Sequence, residues 1–355
     1  MTQIDPKAPI LVTGATGYLA GVICQQLLEA GHRVHAAVRD PAATEKLKYL
    51  NAIAAGSPGE IHYFSADLNQ PGSYAEAMAG CELVIHTASP FSLDVEDPQR
   101  DLVDPAVNGA ASVLDTANAT TSVKRVVMTS SCAAIYTDTI EIASLPGQKL
   151  TEEIWNTTAK LDHSPYNLSK TLAEKKAWEI AETQERWDLI AINPSFILGP
   201  GINPDAQAES YSVMIQFADG TMSSGVPDYR VGVVDVRDVA SAHIKAGFTP
   251  EAEGRHIVSG HNTGFPEMTA VLREHFGDKF RFGKSLLPKF MVWLVGPILS
   301  KALTRKIVSR NIGYDFIADN SKSIAALGMS YRPMEETLIE FFQHLVDAGR
   351  VKPKR

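Results

Sequence analysis

"ILVTGATGYLAG", residues 10–21, decides the fold. A short apolar run ends at Gly14, and the spacing Gly14-x-x-Gly17-x-x-Ala20 then leads into a stretch that reads as a helix. In a strand–turn–helix unit the first glycine permits the tight turn, and the second lets backbone N–H groups approach a pyrophosphate. The phosphate then sits at a helix N-terminus, where unpaired N–H groups and the helix dipole favour an anion. Ala20 and the Gly21 after it are both small enough to bring helix close to strand. A purely structural turn is the competing reading. Placement on the first strand, opening a helix, favours the dinucleotide loop. Gly14, Thr16, Gly17, Tyr18 and Leu19 are its candidate cofactor contacts.

Outward from this loop, "RVHAAVR", "IHYFSAD", "LVIHTAS", "RVVMTSS" and "DLIAINP" read as further strands, separated by helix-like segments such as 20–30 and 105–119. Continuous apolar runs alternating with helices predict a parallel sheet covered on both faces, the doubly wound (Rossmann-type) α/β pattern. After Pro194 the pattern changes. Residues 199–230 are rich in Gly, Pro, Ser and Asn, "RVGVVDVRDVASAHIKAGF" reads as strand, turn and helix, and "RHIVSG" as a strand. The expected organisation is a dinucleotide-binding domain of 1–194 plus 230–260, and a smaller, discontinuous substrate region of 195–229 plus 261–355.

The 355 residues, 45% hydrophobic and 21% charged, fit a globular protein. A net charge of −8 with no basic block beyond the terminal "RVKPKR" argues against nucleic acid as a partner. Cys24, Cys81 and Cys132 stand singly, without CxxC spacing, which fits a reducing compartment. With no apolar leader at the N-terminus, the expected location is the cytoplasm. The ten histidines form no metal-ligand pattern, so no metal is expected. "GDKFRFGKS", residues 277–285, imitates a P-loop but places five residues between its glycines where four are needed. In "LLPKFMVWLVGPILSKAL", residues 286–303, the uninterrupted apolar run Phe290–Leu299 is about half a membrane span and contains Pro297. It reads as a pocket-covering helix, with contact at a membrane surface as the alternative.

The second strand ends at Arg39, and Lys46 follows. Cations there suit a 2′-phosphate, so NADP(H) is the expected cofactor. Asp40 complicates this, since an acid at the strand end would suit a free ribose hydroxyl. Asp67 and Leu68 in "SADLN" are placed at the adenine edge. Thr87, Ala88 and Ser89 in "IHTASPF" leave room for a cofactor backbone.

Ser130 and Ser131 end the fifth strand, where ligands of open parallel sheets bind. Tyr166 and Lys170, in "DHSPYNLSKTLAEKKAWE", share one face of the next helix. This is the single YxxxK among ten tyrosines, and it decides nothing alone. Reducing a carbonyl requires hydride on carbon and a proton on oxygen. A phenol whose pKa is lowered by a neighbouring ammonium can supply the proton as general acid, or remove it as base. Lys170 would provide that charge and hold the ribose, and a strand-end serine would hydrogen-bond the substrate oxygen.

These stretches, together with "AVNGAASVLDTA", "INPSFILGP" and "GVVDVRDVASAHI", resemble the extended short-chain dehydrogenase/reductases. More narrowly, they resemble the branch of dihydroflavonol reductase, cinnamoyl-CoA reductase and the yeast-type aldehyde/ketone reductases. The resemblance runs from residue 10 to 245 in the family's order, and "FIADNSKSIAALGMSYRPMEETLIEFF" resembles its closing segment. It implies that Ser131 rather than Ser130 is catalytic. It also implies that Arg39 and Lys46 meet the 2′-phosphate, that Asn108 orders water near the lysine, and that Pro194 leads into a loop at the nicotinamide. The implied activity is NADPH-dependent reduction of an aldehyde or ketone.

Rival readings are a sugar-nucleotide or hydroxysteroid-type epimerase/dehydrogenase and a non-catalytic NADP-sensing protein. A dehydratase needs an acid–base pair where this chain has Cys132 and Ala133, and sugar-nucleotide members carry Asn where it has Phe196. A sensor has no use for Ser131, Tyr166 and Lys170 together. Phe91, Tyr136, Phe196, Tyr211, Met214 and the 290–299 segment are candidate pocket walls for a small hydrophobic carbonyl substrate, although each could equally be core. His163 reads as an exposed residue of the helix's first turn. The quaternary state is read as monomer or homodimer.

Overall fold

A computed structural model describes residues 1–89, 95–299 and 303–354; Phe91 lies outside them. Twelve strands are described: β1 (Ile10–Thr13), β2 (Arg33–Val38), β3 (Glu60–Ser65), β4 (Leu83–His86), β5 (Arg125–Thr129), β6 (Asp188–Pro194), β7 (Phe196–Leu198), β8 (Val226–Pro227), β9 (Arg230–Asp235), β10 (Gly254–Val258), β11 (His261–Gly264) and β12 (Leu286–Leu287). The first-half helices are α1 (Tyr18–Glu29), α2 (Thr44–Gly56), α3 (Ala75–Met78), α4 (Asp104–Ala119) and α5 (Pro165–Ala181). Those of the second half are α6 (Glu209–Gln216), α7 (Val236–Phe248), α8 (Phe265–Phe276), α9 (Lys289–Leu299), α10 (Arg305–Asn311), α11 (Ser321–Leu327) and α12 (Met334–Asp347).

Seven strands form one parallel sheet in the order β10-β6-β5-β4-β1-β2-β3. The order reverses between β1 and β4, where an open α/β sheet leaves its ligand crevice. The central strands β1 and β4 are buried along their whole length. One face packs on α1 and α7 through Ile23, Leu27, Val239 and Ala246, the other on α4 and α5 through Val113, Leu114, Ala173 and Ala177. Burial on both faces is why these strands read as continuous apolar runs.

The segment 230–260 is split by the fold. β10 completes the large sheet, whereas β9 joins β7 and β11 in a separate three-stranded sheet. Around the latter, α6, α8 and α12 enclose a second core containing Tyr211, Met214, Phe217, Met268, Phe341 and Phe342. The loop-like composition of 199–230 concealed α6. Among the described residues no helix is long and apolar enough to cross a membrane, and Cys24, Cys81 and Cys132 are buried free thiols.

Candidate active site

The phosphate loop is built at the switch point. Thr87 Oγ1 donates to Thr13 O (2.6 Å), and the N–H groups of Thr87 and Ala88 donate to Thr13 Oγ1 (3.1 and 3.0 Å). Gly14 adopts φ +65°, and a Cβ there would stand 3.1 Å from the Ala88 backbone, so conformation and space both demand glycine. Gly17 N donates to Gly14 O (2.8 Å) and opens α1, whose first turn holds no acid. Thr16 and Gly17 are exposed at that helix end. Tyr18 and Leu19 turn their side chains inward. Leu19 is buried, and Tyr18 donates to Gly199 O (2.6 Å) and meets the Tyr211 ring edge-on. The critical small residue on α1 is Gly21, whose Cβ would lie 2.7 Å from Ile202 Cδ1; Ala20 is buried without such a conflict.

Arg39 and Lys46 are both exposed beyond the end of β2. Asp40 is occupied locally, its Oδ1 accepting from Ala42 N (2.9 Å). Asp67 Oδ1 caps its own turn through Asn69 N (2.8 Å), and Leu68 lies over Gly109 of α4. These groups flank the same sheet edge as the loop.

The three proposed reacting residues converge on the carboxyl ends of β4 and β5. Ser131 follows β5, its Oγ accepting from Ala133 N (3.1 Å). Tyr166 is the second residue of α5, its ring 50% exposed to the cleft. Lys170 Nζ lies 5.8 Å from the Tyr166 ring centroid and donates to Ser89 Oγ (3.1 Å), bridging α5 to the end of β4. Asn108 is exposed on α4.

Electrostatically the cleft differs from the sequence expectation. Although half of Tyr166 is open to the cleft, desolvation by the surrounding protein raises its pKa to about 12; Glu209 also raises it, and a hydrogen bond with Ser131 lowers it. Desolvation lowers the Lys170 pKa to about 8. Neither shift shows the expected depression of the tyrosine by the lysine; both disfavour the charged form.

Two buried carboxylates position α5. Ser164, the residue before it, adopts a left-handed conformation (φ 60°), and Pro165 takes the first helical turn. His163 is buried, not exposed. Its Nε2 is 2.8 Å from Asp138 Oδ2, and Asp138 also accepts from Asn311 Nδ2 (2.7 Å) and Arg310 Nε of α10. The second carboxylate, Glu174, lies one turn beyond Lys170 and is 0% exposed. It accepts from Ser130 Oγ, Asn193 Nδ2 (2.8 Å) and Arg255 Nε (2.6 Å). Asn193 Nδ2 also reaches Ser131 O (3.2 Å), and Arg255 donates to Glu152 O and Ile154 O and stacks on Trp155. One carboxylate thus joins α5 to the residues beside Ser131 and Pro194. Nothing in the sequence singled out Glu174; its one signal was its register, four residues beyond Lys170 and eight beyond Tyr166 on the same helix.

The pocket walls divide. Tyr136 and Phe196 are partly exposed, with Tyr136 edge-on to Phe316 at 5.5 Å. Tyr211 and Met214 are 1% and 0% exposed, so they are core of the second cluster and offer no surface to a substrate. Pro194 is buried at the end of β6, paired with Val258. A carboxylate missed in the sequence, the exposed Glu209 at the start of α6, raises the pKa of both Tyr166 and Tyr229. The wall is therefore not wholly apolar.

Residues 10–260 match the model of the NAD dependent epimerase/dehydratase family. The chain is 36% identical over 269 residues to a cinnamoyl-CoA reductase of Medicago truncatula, covering 75% of this chain and 80% of that enzyme. It is 33% identical over 355 residues to an anthocyanidin reductase of Arabidopsis thaliana, covering 97% and 96%. The solved structure of yeast methylglyoxal/isovaleraldehyde reductase complexed with NADPH superposes with a TM-score of 0.74 at 26% identity, over 97% of this chain and all of that one.

Proposed function

Because the chain belongs to the NAD dependent epimerase/dehydratase family, the extended short-chain dehydrogenase/reductases, we propose that it reduces an aldehyde or ketone to an alcohol with NADPH. The observation that supports this reading is the convergence of Ser131, Tyr166 and Lys170 beside the Gly14–Gly17 loop, at the switch point of the sheet. The cradle suits a dinucleotide: Gly14 takes φ +65° with a Cβ position only 3.1 Å from Ala88, and the N-terminus of α1 is open.

In this reading the α1 N-terminus holds the pyrophosphate, Arg39 and Lys46 the 2′-phosphate, and Lys170 the nicotinamide ribose. When bound, NADPH supplies the hydride. Ser131 Oγ and Tyr166 Oη hydrogen-bond the substrate oxygen, and Tyr166 gives it a proton as negative charge develops. A phenol held near pKa 12 is protonated at neutral pH, which is the form that reduction consumes. Where a dehydratase needs its acid–base pair, Cys132 and Ala133 are buried and carry no carboxylate. The substrate proposed is a small hydrophobic carbonyl compound, the setting the cytoplasm.

The test is an NADPH-oxidation screen over aromatic aldehydes, ketoesters, diketones, flavanonols and acyl-CoA thioesters, run with wild type and Tyr166→Phe. Turnover that vanishes in the variant while NADPH binding survives supports the assignment. Equal turnover by the two proteins removes Tyr166 from it, and tight NADPH binding with no oxidation of any compound favours a cofactor sensor.

A further inference from the structure

Helix α9 presents an apolar surface to solvent. Phe290 is 70% exposed, Leu294 56% and Ile298 83%, with Met291, Trp293 and Val295 each near two-fifths and Leu286 just before the helix at 57%. The two inward positions are Val292, which packs with Val308 of α10 and Ile312 just after it, and Gly296, which lies against Leu303. The helix therefore does not cover a pocket; most of its circumference faces outward. Contiguous exposure of this kind marks an interaction surface rather than ordinary scatter.

The charge around it is one-sided. Between Asp278 and Asp315 the sequence holds eight cations, Lys279, Arg281, Lys284, Lys289, Lys301, Arg305, Lys306 and Arg310, and no acid, in a chain of net charge −8. Among the described residues three of them are engaged: Lys284 with Asp278, Lys289 with Ser309 O, and Arg310 with Asp138 and Glu141. Arg305 and Lys306 are exposed at the start of α10, and the Arg305 guanidinium lies 4.6 Å over the Trp293 ring. A large indole carrying a cation beside exposed aliphatic chains is the composition of a lipid–water interface. Eleven residues give a helix of roughly 16 Å, about half the hydrocarbon thickness, so it suits lying in the interface and not crossing it.

We propose that the α9–α10 hairpin docks the protein on an anionic lipid surface, with Phe290, Trp293, Leu294 and Ile298 entering the headgroup boundary and Arg305 and Lys306 meeting lipid phosphates. Anionic lipid is favoured over a second copy of the chain because a two-fold contact through α9 would set this cationic segment against itself, whereas anionic headgroups neutralise it. The proposal is independent of the catalytic reading.

The experiment is flotation of the full chain with phosphatidylcholine vesicles with and without phosphatidylglycerol, at low and high salt, alongside size-exclusion light scattering. Two variants are compared after circular dichroism and urea unfolding confirm their fold: Phe290→Glu/Ile298→Glu and Arg305→Glu/Lys306→Glu. The wild type should float with the anionic vesicles and lose binding with salt. The apolar variant should lose it at either salt, and the charge variant should weaken it by about fivefold or more per cation removed. Absence of flotation on anionic vesicles overturns the proposal. So does equal flotation of wild type and the Phe290→Glu/Ile298→Glu variant, or a wild-type dimer that this variant dissociates in a protein that ignores lipid.

Discussion

Replacing Glu174 by Gln changes one atom type and should disable the site from beneath. Both carboxylate oxygens are surrounded by donors: Oε1 by Arg255 Nε (2.6 Å) and Trp178 Nε1 (3.4 Å), Oε2 by Ser130 Oγ and Asn193 Nδ2 (2.8 Å). A glutamine amide must turn its NH₂ toward one pair. Facing Arg255, it sets NH₂ against Nε and leaves a guanidinium that is 7% exposed with the carbonyls of Glu152 and Ile154 and, for Nη2, a neutral amide oxygen at 3.4 Å. Facing Ser130 and Asn193, it can be accommodated if the Asn193 amide flips to offer Oδ1, which has no partner among the described residues. That flip withdraws the Nδ2 donor from Ser131 O. Removing one partner of a buried pair costs about 3–5 kcal/mol, a large share of the roughly 5–15 kcal/mol that holds a domain together.

Urea unfolding should therefore show Glu174→Gln losing about 3 kcal/mol. The double variant Glu174→Leu/Arg255→Leu removes the orphaned guanidinium and should recover part of that loss, because the buried donors of Ser130 and Asn193 stay without an acceptor. If the carboxylate positions the proposed catalytic groups, the recovered stability will not recover turnover, because Ser130 and Asn193 still lack their acceptor. Under folded conditions kcat should fall while KM for NADPH changes little, the phosphate loop being built on Thr13, Thr87 and Ala88 instead. A Glu174→Gln protein that unfolds within about 0.5 kcal/mol of wild type would refute the account of the network. A double variant with full kcat would refute the positioning role.

Lys170, at about 8, titrates in a usable range, whereas Tyr166, at about 12, does not. The lysine's charge is present below pH 8 and lost as pH rises through it, so kcat/KM for NADPH should fall above about pH 8. Lys170→Arg should move that limb upward, and a limb unchanged in the variant would assign it elsewhere. Gly14→Ala must hold alanine at φ +65° with its Cβ 3.1 Å from Ala88, costing about 1–2 kcal/mol for the backbone alone; calorimetric titration should show NADPH binding lost. Arg39→Ala should raise KM for NADPH far more than for NADH, and equal effects on both would remove Arg39 from the 2′-phosphate.

The large sheet was legible because its strands are buried on two faces and so advertise themselves as unbroken apolar runs. The Gly14 turn was legible because a positive φ leaves a glycine in the sequence. Tyr166 and Lys170 could be paired because both lie on one helix, four residues apart. What stayed hidden depends on distant partners. Glu174 and Arg255 are 81 residues apart, and each reads locally as an ordinary surface charge. His163 was read as exposed, since nothing near it in sequence announces Asp138 or Arg310. Tyr211 and Met214 looked like pocket walls because an apolar side chain on a short helix has the same composition whether it meets substrate or Phe341 and Phe342. The split of 230–260 between two sheets was equally invisible: β9 and β10 are both short apolar strands, and only their partners differ.

The opposite shifts of Tyr166 and Lys170 bear on the direction of the proposed reaction. One desolvated cleft pushes the phenol up and the ammonium down, so both groups drift toward neutrality. For alcohol oxidation that is adverse, because the base required is a phenolate and Glu209 opposes its formation further. For carbonyl reduction it costs no protonated form, since a phenol at its ordinary pKa of about 10 is also protonated at pH 7, but it makes the acid weaker. The proton to be delivered is already on the tyrosine at neutral pH, and the rise in substrate-oxygen basicity during hydride arrival supplies the drive for transfer. Glu209 thereby gains a definite role to test. Its removal should leave the reductive rate at pH 7 almost unchanged, while the alkaline onset of alcohol oxidation should move to lower pH as the phenolate is relieved of a neighbouring negative charge. Steady-state profiles of Glu209→Gln in both directions measure this directly, and an oxidation profile that stays in place would show that Glu209 does not act on the tyrosine.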